Sequence, residues 1–196
     1  MGWDIVDTNT LINLAKAGEL LSPSNPSQYL NNFLSNATAS GEKIVITDMV
    51  LAESTRNASA SDAAVIQSWY TQNQNSIVTQ STGTFSAFNN GQLGSADAGD
   101  RSIVEAATNL VGGGVAPSDI TVYSDDPIFV TGSYAQLPGP GATGAAAEFP
   151  KGNPALLNVS AETTQGLLAD QVVSGGLSQA TAQNIVNTLT RKAGTR

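Results

Sequence analysis

The sequence predicts an α/β fold in which a mostly parallel central sheet is flanked by helices. Short apolar runs rich in β-branched residues recur at Trp3–Val6, Ile44–Ile46 and Ile120–Tyr123, and such runs between turn signals mark buried strands. Between them lie longer segments whose apolar residues repeat at helical spacing, and strands that alternate with helices build parallel sheets. Acidic residues also stand where these apolar runs end, at Asp7 and at Asp125-Asp126, and the carboxyl ends of strands are where α/β folds gather their chemistry.

In chain order, Trp3–Val6 opens as a strand, and Thr8-Asn9-Thr10 caps a helix with Leu11, Ile12, Leu14 and Ala15 on one side and Gly18 near its stop. Residues 22–27 form a Pro/Ser/Asn loop. Pro26 starts a second helix through Leu30, Phe33 and Leu34, ending near Gly41. After the strand Ile44–Ile46, Thr47 or Asp48 caps a helix carrying Met49, Val50, Glu53 and Arg56. Ser59 or Ser61 starts the next, with Ala64, Val65, Ser68 and Trp69 on one stripe. Ile77-Val78 is a short strand, and Phe85 and Phe88 mark a loosely helical stretch. The strongest helical pattern begins over Gly94–Asp97, runs through Ile103, Val104, Ala107, Leu110 and Val111, and stops at Gly112-Gly113-Gly114. The strand Ile120–Tyr123 follows, then a short helix opened by Pro127. Gln136–Pro154, with Pro138, Pro140, Pro150 and Pro154, is expected to be a long flexible loop. Ala155–Val159 is expected as the last strand, and Ser160–Val173 and Leu177–Thr190 as two closing helices. No internal repeat is visible.

The 196 residues suit one generous domain or one with an appendage. The absence of Cys removes disulfides, thiolate metal sites and cysteine nucleophiles. The absence of His removes the usual general base and the Ser-His-Asp triad. Catalysis would therefore rest on carboxylates, hydroxyls, Lys or Arg, and a metal. The net charge of −8, with only 8 Lys plus Arg, argues against a dedicated duplex-DNA binder, which would carry a basic stripe. No apolar run is long enough to span a bilayer, and Met1-Gly2-Trp3-Asp4 lacks the basic region and apolar core of a signal peptide.

Four acids in four separate stretches define the candidate site: Asp7, Glu53, Asp100 and the Asp125-Asp126 pair. If these segments converge, the carboxylates suit hard divalent cations, which take oxygen ligands. Each acid also has a plainer reading. Asp7 would serve as a helix N-cap, although Thr8 and Asn9 are competent for that work. Glu53 sits beside Met49 and Val50 on an apolar face, or pairs with Arg56. Asp100 heads the apolar stripe of its helix, while Asp97 one turn earlier is either its cap or a ligand. Glu105 lies off the stripe and is expected in solvent. Asp126 is favoured over Asp125 as the primary group, with a turn cap before Pro127 as the other reading. Thr8, Asn9 and Ser124 would support the ligands through hydrogen bonds, and Arg56 and Arg101 would bind phosphate or balance the acids.

The stretches Ile5-Val6-Asp7-Thr8-Asn9-Thr10-Leu11-Ile12, Ile46-Thr47-Asp48-Met49-Val50-Leu51-Ala52-Glu53, Gly99-Asp100-Arg101-Ser102-Ile103-Val104-Glu105-Ala106-Ala107 and Val122-Tyr123-Ser124-Asp125-Asp126 together resemble PIN-domain ribonucleases. That family has an acid after the first strand, a Glu in the helix after the second, an Asp at the start of a later helix, and an Asp after a strand ending in Ser or Thr. The resemblance covers roughly residues 3 to 160. It implies a three-layer α/β/α sandwich over residues 1–160, with residues 161–196 as a helical extension packed on the same domain. It implies that Asp7, Glu53, Asp100 and Asp126 hold Mg²⁺ or Mn²⁺, with Asp97 and Asp125 as further candidates, and that the activity is endonucleolytic hydrolysis of RNA. Many PIN proteins are toxins restrained by a partner, so an antitoxin or immunity protein is an implied partner alongside RNA, single-stranded or structured like tRNA. The chain is longer, more acidic and poorer in Lys than the small toxin type. Together with its uncharged-polar texture, this fits a toxin domain of a large exported protein that acts in the bacterial cytoplasm.

Two competing functions follow from the same residues. A non-catalytic α/β module that binds a partner protein would use the acids as caps and surface charges. A phosphatase using Asp7 as nucleophile would want a second Asp where Asn9 stands and a well-placed Lys, and the only lysines are Lys16, Lys43, Lys151 and Lys192.

Overall fold

The fold grows outward from its first strand. In the computed structural model, which describes residues 1–92, 94, 98–126, 129, 156 and 158–193 (the last four in their backbone alone), β1 (Trp3–Val6) is the middle of a five-stranded sheet. Ile5 and Val6 are fully buried, as a strand covered on both faces requires. β1 pairs in parallel with β2 (Lys43–Thr47) on one side and β4 (Ile120–Tyr123) on the other. β3 (Ile77–Gln80) extends the sheet beyond β2, and β5 (Ser160–Glu162) extends it beyond β4. The order is β3-β2-β1-β4-β5, and every pairing is parallel.

Helices flank this sheet, consistent with a three-layer sandwich. α1 (Thr8–Leu21) and α2 (Gln28–Ala39) connect β1 to β2, and α3 (Asp48–Asn57) and α4 (Ala60–Asn73) connect β2 to β3. α5 (Gly83–Asn89) and α6 (Ala98–Gly112) then carry the chain back across β2 and β1 to β4. After β5 come α7 (Thr164–Val173) and α8 (Gln179–Ala193). The two faces of the sheet separate by strand parity. Thr47 hydrogen-bonds Ser102 of α6 at 2.7 Å, which puts Ile5, Val45 and Thr47 on the α6 side. Asp4 and Tyr123 share a cleft with Phe33 of α2 and Leu167 of α7 on the other side. The core joins Ile5, Ile44, Ile46, Ile120 and Val122 of the strands to Leu14, Leu30, Trp69 and Ile103 of the helices.

The caps follow the local chemistry. Thr47, Ser59, Thr82 and Thr163 each accept a hydrogen bond from a backbone N–H in the first turn of the helix that follows, and thereby start α3, α4, α5 and α7. Glu105 is not left in solvent: its carboxylate accepts from the Gly83 and Thr84 backbone N–H groups and from the Thr84 hydroxyl, and so holds the start of α5. A carboxylate there is favoured because the first N–H groups of a helix have no internal partner.

The last strand is Ser160–Glu162 rather than Ala155–Val159. Leu156 and Val159 are buried in the core ahead of it. β5 is a short polar edge strand, so it carries no apolar signature of its own. The division expected between residues 160 and 161 therefore falls inside a strand of the central sheet. The first closing helix starts later than expected, because Ser160–Glu162 is used as strand and Thr163 as cap, and the second runs from Gln179 to Ala193 rather than from Leu177 to Thr190. The expected loop at 136–154, the Pro127 helix apart from buried Phe129, and the residue pair Ala155 and Leu157 lie outside the described residues. Among the described residues, no helix is long and apolar enough to cross a membrane.

Candidate functional site

β1 ends at Val6, and the Asp7 N–H still continues the ladder, donating to the Tyr123 carbonyl at 2.9 Å. The chain then turns into α1 with Asp7 as its N-cap, its Oδ1 accepting from the Thr8 N–H at 2.6 Å. The other oxygen, Oδ2, accepts from the Ser124 hydroxyl at 2.7 Å, and Ser124 Oγ in turn accepts from the Asp126 N–H at 3.0 Å. The two strand ends are thus stitched together through one buried serine. Asp7 is therefore both the helix cap and the floor of a cavity, so its two readings are not exclusive.

Glu53 reaches the same place from α3. Its Oε1 accepts from the Gly99 N–H at 3.0 Å, in the first turn of α6, and its Oε2 accepts from the Thr8 hydroxyl at 3.3 Å. The approach is close: a Cβ at position 99 would fall inside contact distance of Glu53 Oε2, so the carboxylate would have to shift. Asp100 follows at the start of α6, and Asp126 lies just past β4.

Asp7, Glu53, Asp100 and Asp126 all line one open, predominantly polar cavity of about 170 Å³, together with Thr8, Asn9, Asn57 and Gly99. Asp7 and Glu53 are buried at its base, and Asp100 and Asp126 are partly exposed above them. Burial pushes the Asp7 carboxyl up to about 6; the bonds from Ser124 and Thr8 oppose this, and the negative charges of Glu53 and Asp126 add to it.

Of the other sequence candidates, Thr8 and Asn9 line the cavity and Ser124 supports Asp7, whereas Asp125, Arg56 and Arg101 do not line it. Asp125 points away from the cavity: its Oδ2 accepts from Asn13 Nδ2 at 2.7 Å and from the Thr164 hydroxyl at 2.6 Å, and its Oδ1 accepts from the Thr164 N–H at 2.8 Å. Arg56 stacks over the Phe88 ring at 4.8 Å rather than pairing with Glu53. Arg101 does not line the cavity. Asp97 lies outside the described residues. Asn57 and Gly99 are cavity residues that sequence reasoning gave no role. The signal for Asn57 was its place four residues after Glu53, on the same helical face.

All the cavity's side-chain donors to a metal would be oxygen or amide groups, a set suited to a hard divalent cation. Among the described residues no three carboxylates stand close enough together to hold one ion directly. Mg²⁺ keeps several of its waters and is commonly bound through one or two carboxylates, so the donor set fits an ion held partly through water.

No family model matches the chain, and neither the curated proteins nor the solved structures give a match.

Proposed function

We propose that the chain is a divalent-metal-dependent endoribonuclease of the PIN type, a hydrolase of RNA phosphodiester bonds serving as a bacterial toxin domain. The observation that supports this most is the meeting of Asp7, Glu53, Asp100 and Asp126, from four distant segments, around one polar cavity beside the carboxyl ends of parallel strands. Crowded carboxylates repel one another, and the raised Asp7 carboxyl records that repulsion together with its burial. A cation would relieve it.

In this reading Asp7 and Glu53 hold Mg²⁺ or Mn²⁺, with Asp100 and Asp126 reaching it directly or through water. The ion, when bound, supplies Lewis acidity to the phosphodiester and acidifies an attacking water. The chain supplies orientation. Ser124 and the Thr8 N–H fix the Asp7 carboxylate, and the Gly99 N–H and Thr8 hydroxyl fix Glu53. Asn9 and Asn57 at the cavity wall offer amide donors to phosphate or ribose oxygens. No histidine is needed for this chemistry. The acidic surface favours a single-stranded or locally structured RNA over a long duplex, and an antitoxin or immunity protein would act by covering the cavity.

The test is RNA cleavage with Mn²⁺ or Mg²⁺ by the wild type and by Asp7→Asn. The variant is expected to lose at least about a hundredfold in rate, more than a supporting residue would cost, while its circular dichroism is unchanged. Wild-type protein is also expected to melt at a higher temperature with Mn²⁺, because an ion bound to the native state stabilises it. Full cleavage by Asp7→Asn would remove the assignment. Absence of both cleavage and a Mn²⁺ shift would favour the protein-binding module, for which the capping roles of Asp7 and Glu53 are sufficient.

A further inference from the structure

α3 has a cavity on each side. Glu53 and Asn57 face the acidic one described above. On the other side, α3, α4 and α5 enclose a cleft of about 320 Å³ with mostly apolar walls, among them Leu51, Ile66, Tyr70 and Phe85. The two cavities share no residue. An α-helix turns by about 100° per residue. That rotation places Arg56 on the strip of α3 between Ala52, which lines the cleft, and Glu53, which lines the acidic cavity. A helix with its side chains is about 10–12 Å across, so the strip and both cavities lie within the scale of one nucleotide.

The groups along this strip are held in place. Arg56 is exposed, and its guanidinium lies over the Phe88 ring of α5, 4.8 Å from the centroid. Phe85, one turn earlier in α5, lines the cleft. The Tyr70 hydroxyl is hydrogen-bonded to Thr79 Oγ1 of β3, which fixes its ring against the cleft. Asp48 also lines the cleft, and its carboxylate accepts from the Met49 and Thr82 N–H groups and from the Thr82 hydroxyl. Arg56 makes no ion pair among the described residues, so its charge is open to an outside anion. By contrast, Lys43 stacks over Trp3 at the amino ends of β1 and β2, away from the acids.

We infer, on the nuclease reading above, that the strip and the cleft form the subsite for the nucleotide next to the scissile phosphate of a single-stranded RNA. Its base enters the cleft, and its phosphate lies on Arg56. A guanidinium fork matches phosphate oxygens, and stacking on Phe88 keeps that fork oriented. In a chain of net charge −8, a phosphate needs such a local cation to come near the acids. Every base has a face that stacks on aromatic rings, and this is how proteins hold unpaired strands. A duplex keeps its bases paired and has none to offer the cleft. An apolar ligand that carries no anion would fill the cleft and leave Arg56 unused.

The experiment is fluorescence anisotropy of a short end-labelled single-stranded RNA titrated with the full chain in EDTA at low salt, which reads binding without metal or cleavage. Saturable binding is expected. Arg56→Gln, a change at an exposed side chain, should weaken it at least about tenfold, the loss for one charge-assisted contact. The same variant should lower the slope of log affinity against log salt by about 0.7, the share of one phosphate on a single strand. Arg56→Lys should restore the slope but only part of the affinity. An abasic strand of equal length should bind wild type at least about fivefold more weakly, the low end of the loss for one stacked base. Phe85→Leu keeps the wall apolar but not aromatic, and should narrow that difference. Unchanged affinity and slope in Arg56→Gln, equal binding of abasic and intact strands, an undiminished difference in Phe85→Leu, or no saturation by about 1 mM protein, beyond the usual range even of non-specific binding, would overturn the inference. Asp7-dependent cleavage alongside such a failure would remove this subsite and leave the nuclease reading. Binding as expected with no cleavage under Mn²⁺ would remove the hydrolysis and keep the nucleotide site.

Discussion

Gly99 shows how much of the candidate site depends on a residue with no side chain. The Glu53 carboxylate lies against its backbone, with Oε1 on the Gly99 N–H. Gly99→Ala would drive a methyl group into Oε2 and push Glu53 off both the N–H and Thr8. A lost hydrogen bond to a buried charge is worth about 1.5–3 kcal/mol. The variant should therefore be less stable by roughly that amount in urea denaturation, and should cleave RNA at least about tenfold more slowly if Glu53 orients the ion. A Gly99→Ala protein with wild-type stability would contradict the close approach. At this scale the sequence was informative about acids and poor about their surroundings. The positions of Asp7, Glu53 and Asp100 could be read because each acid borders an apolar run. The close approach at Gly99 could not, since it arises from a side chain forty-six positions away. The same holds for the choice between Asp125 and Asp126, which is made by Asn13 and Thr164, far from both in the chain.

Asp125 works between elements rather than within the cavity. Its carboxylate joins α1, through Asn13, to the first residue of α7, through both the N–H and the hydroxyl of Thr164. Thr164 Oγ1 also lies 3.3 Å from Thr10 Oγ1, and Thr10 donates to the Tyr123 carbonyl at the end of β4. The closing helices are thereby keyed to the strand end that carries Asp126. Asp125→Ala removes three acceptor contacts and should destabilise the fold by about 2–4 kcal/mol, as for loss of a buried hydrogen-bonded network. Equilibrium unfolding measures this, with α7 amides exchanging hydrogen faster than those of β1. Among the elements, β1, β2 and β4 were legible because central parallel strands are apolar on both faces. β5 escaped because an edge strand of Ser, Ala and Glu looks like a loop or a helix start. Glu105 escaped for a related reason: a helical wheel separates core from solvent, but does not show that another helix begins beside that position.

For the molecule as a whole, two acids sit on the central strand or at its end, Asp4 and Asp7, and burial raises both. Asp4 is the stronger case, moving from 3.8 to about 7. A carboxyl whose native value is raised holds its proton more tightly folded than unfolded. Its contribution is therefore fully present below about pH 4 and is lost as pH climbs through about 7. At about 1.4 kcal/mol per unit, the loss from Asp4 is on the order of 4 kcal/mol. Urea denaturation between pH 4.5 and pH 8 should show stability falling, and Asp4→Asn should flatten the curve. A wild-type profile that rises over that range would refute this account. The net charge of −8 acts in the same direction as the remaining acids ionise.

The strand order carries a consequence for a chain emerging from the ribosome. By residue 80 the first three strands can pair, yet β1 then forms an open margin, because its second neighbour begins only at Ile120 and that neighbour's own partner at Ser160. The central strand thus waits, half-zipped, until Ile120–Tyr123 has emerged, and unpaired margins of this kind invite wrong partners. The sheet is complete only once β5 has emerged, so a product truncated before Ser160 should aggregate rather than fold.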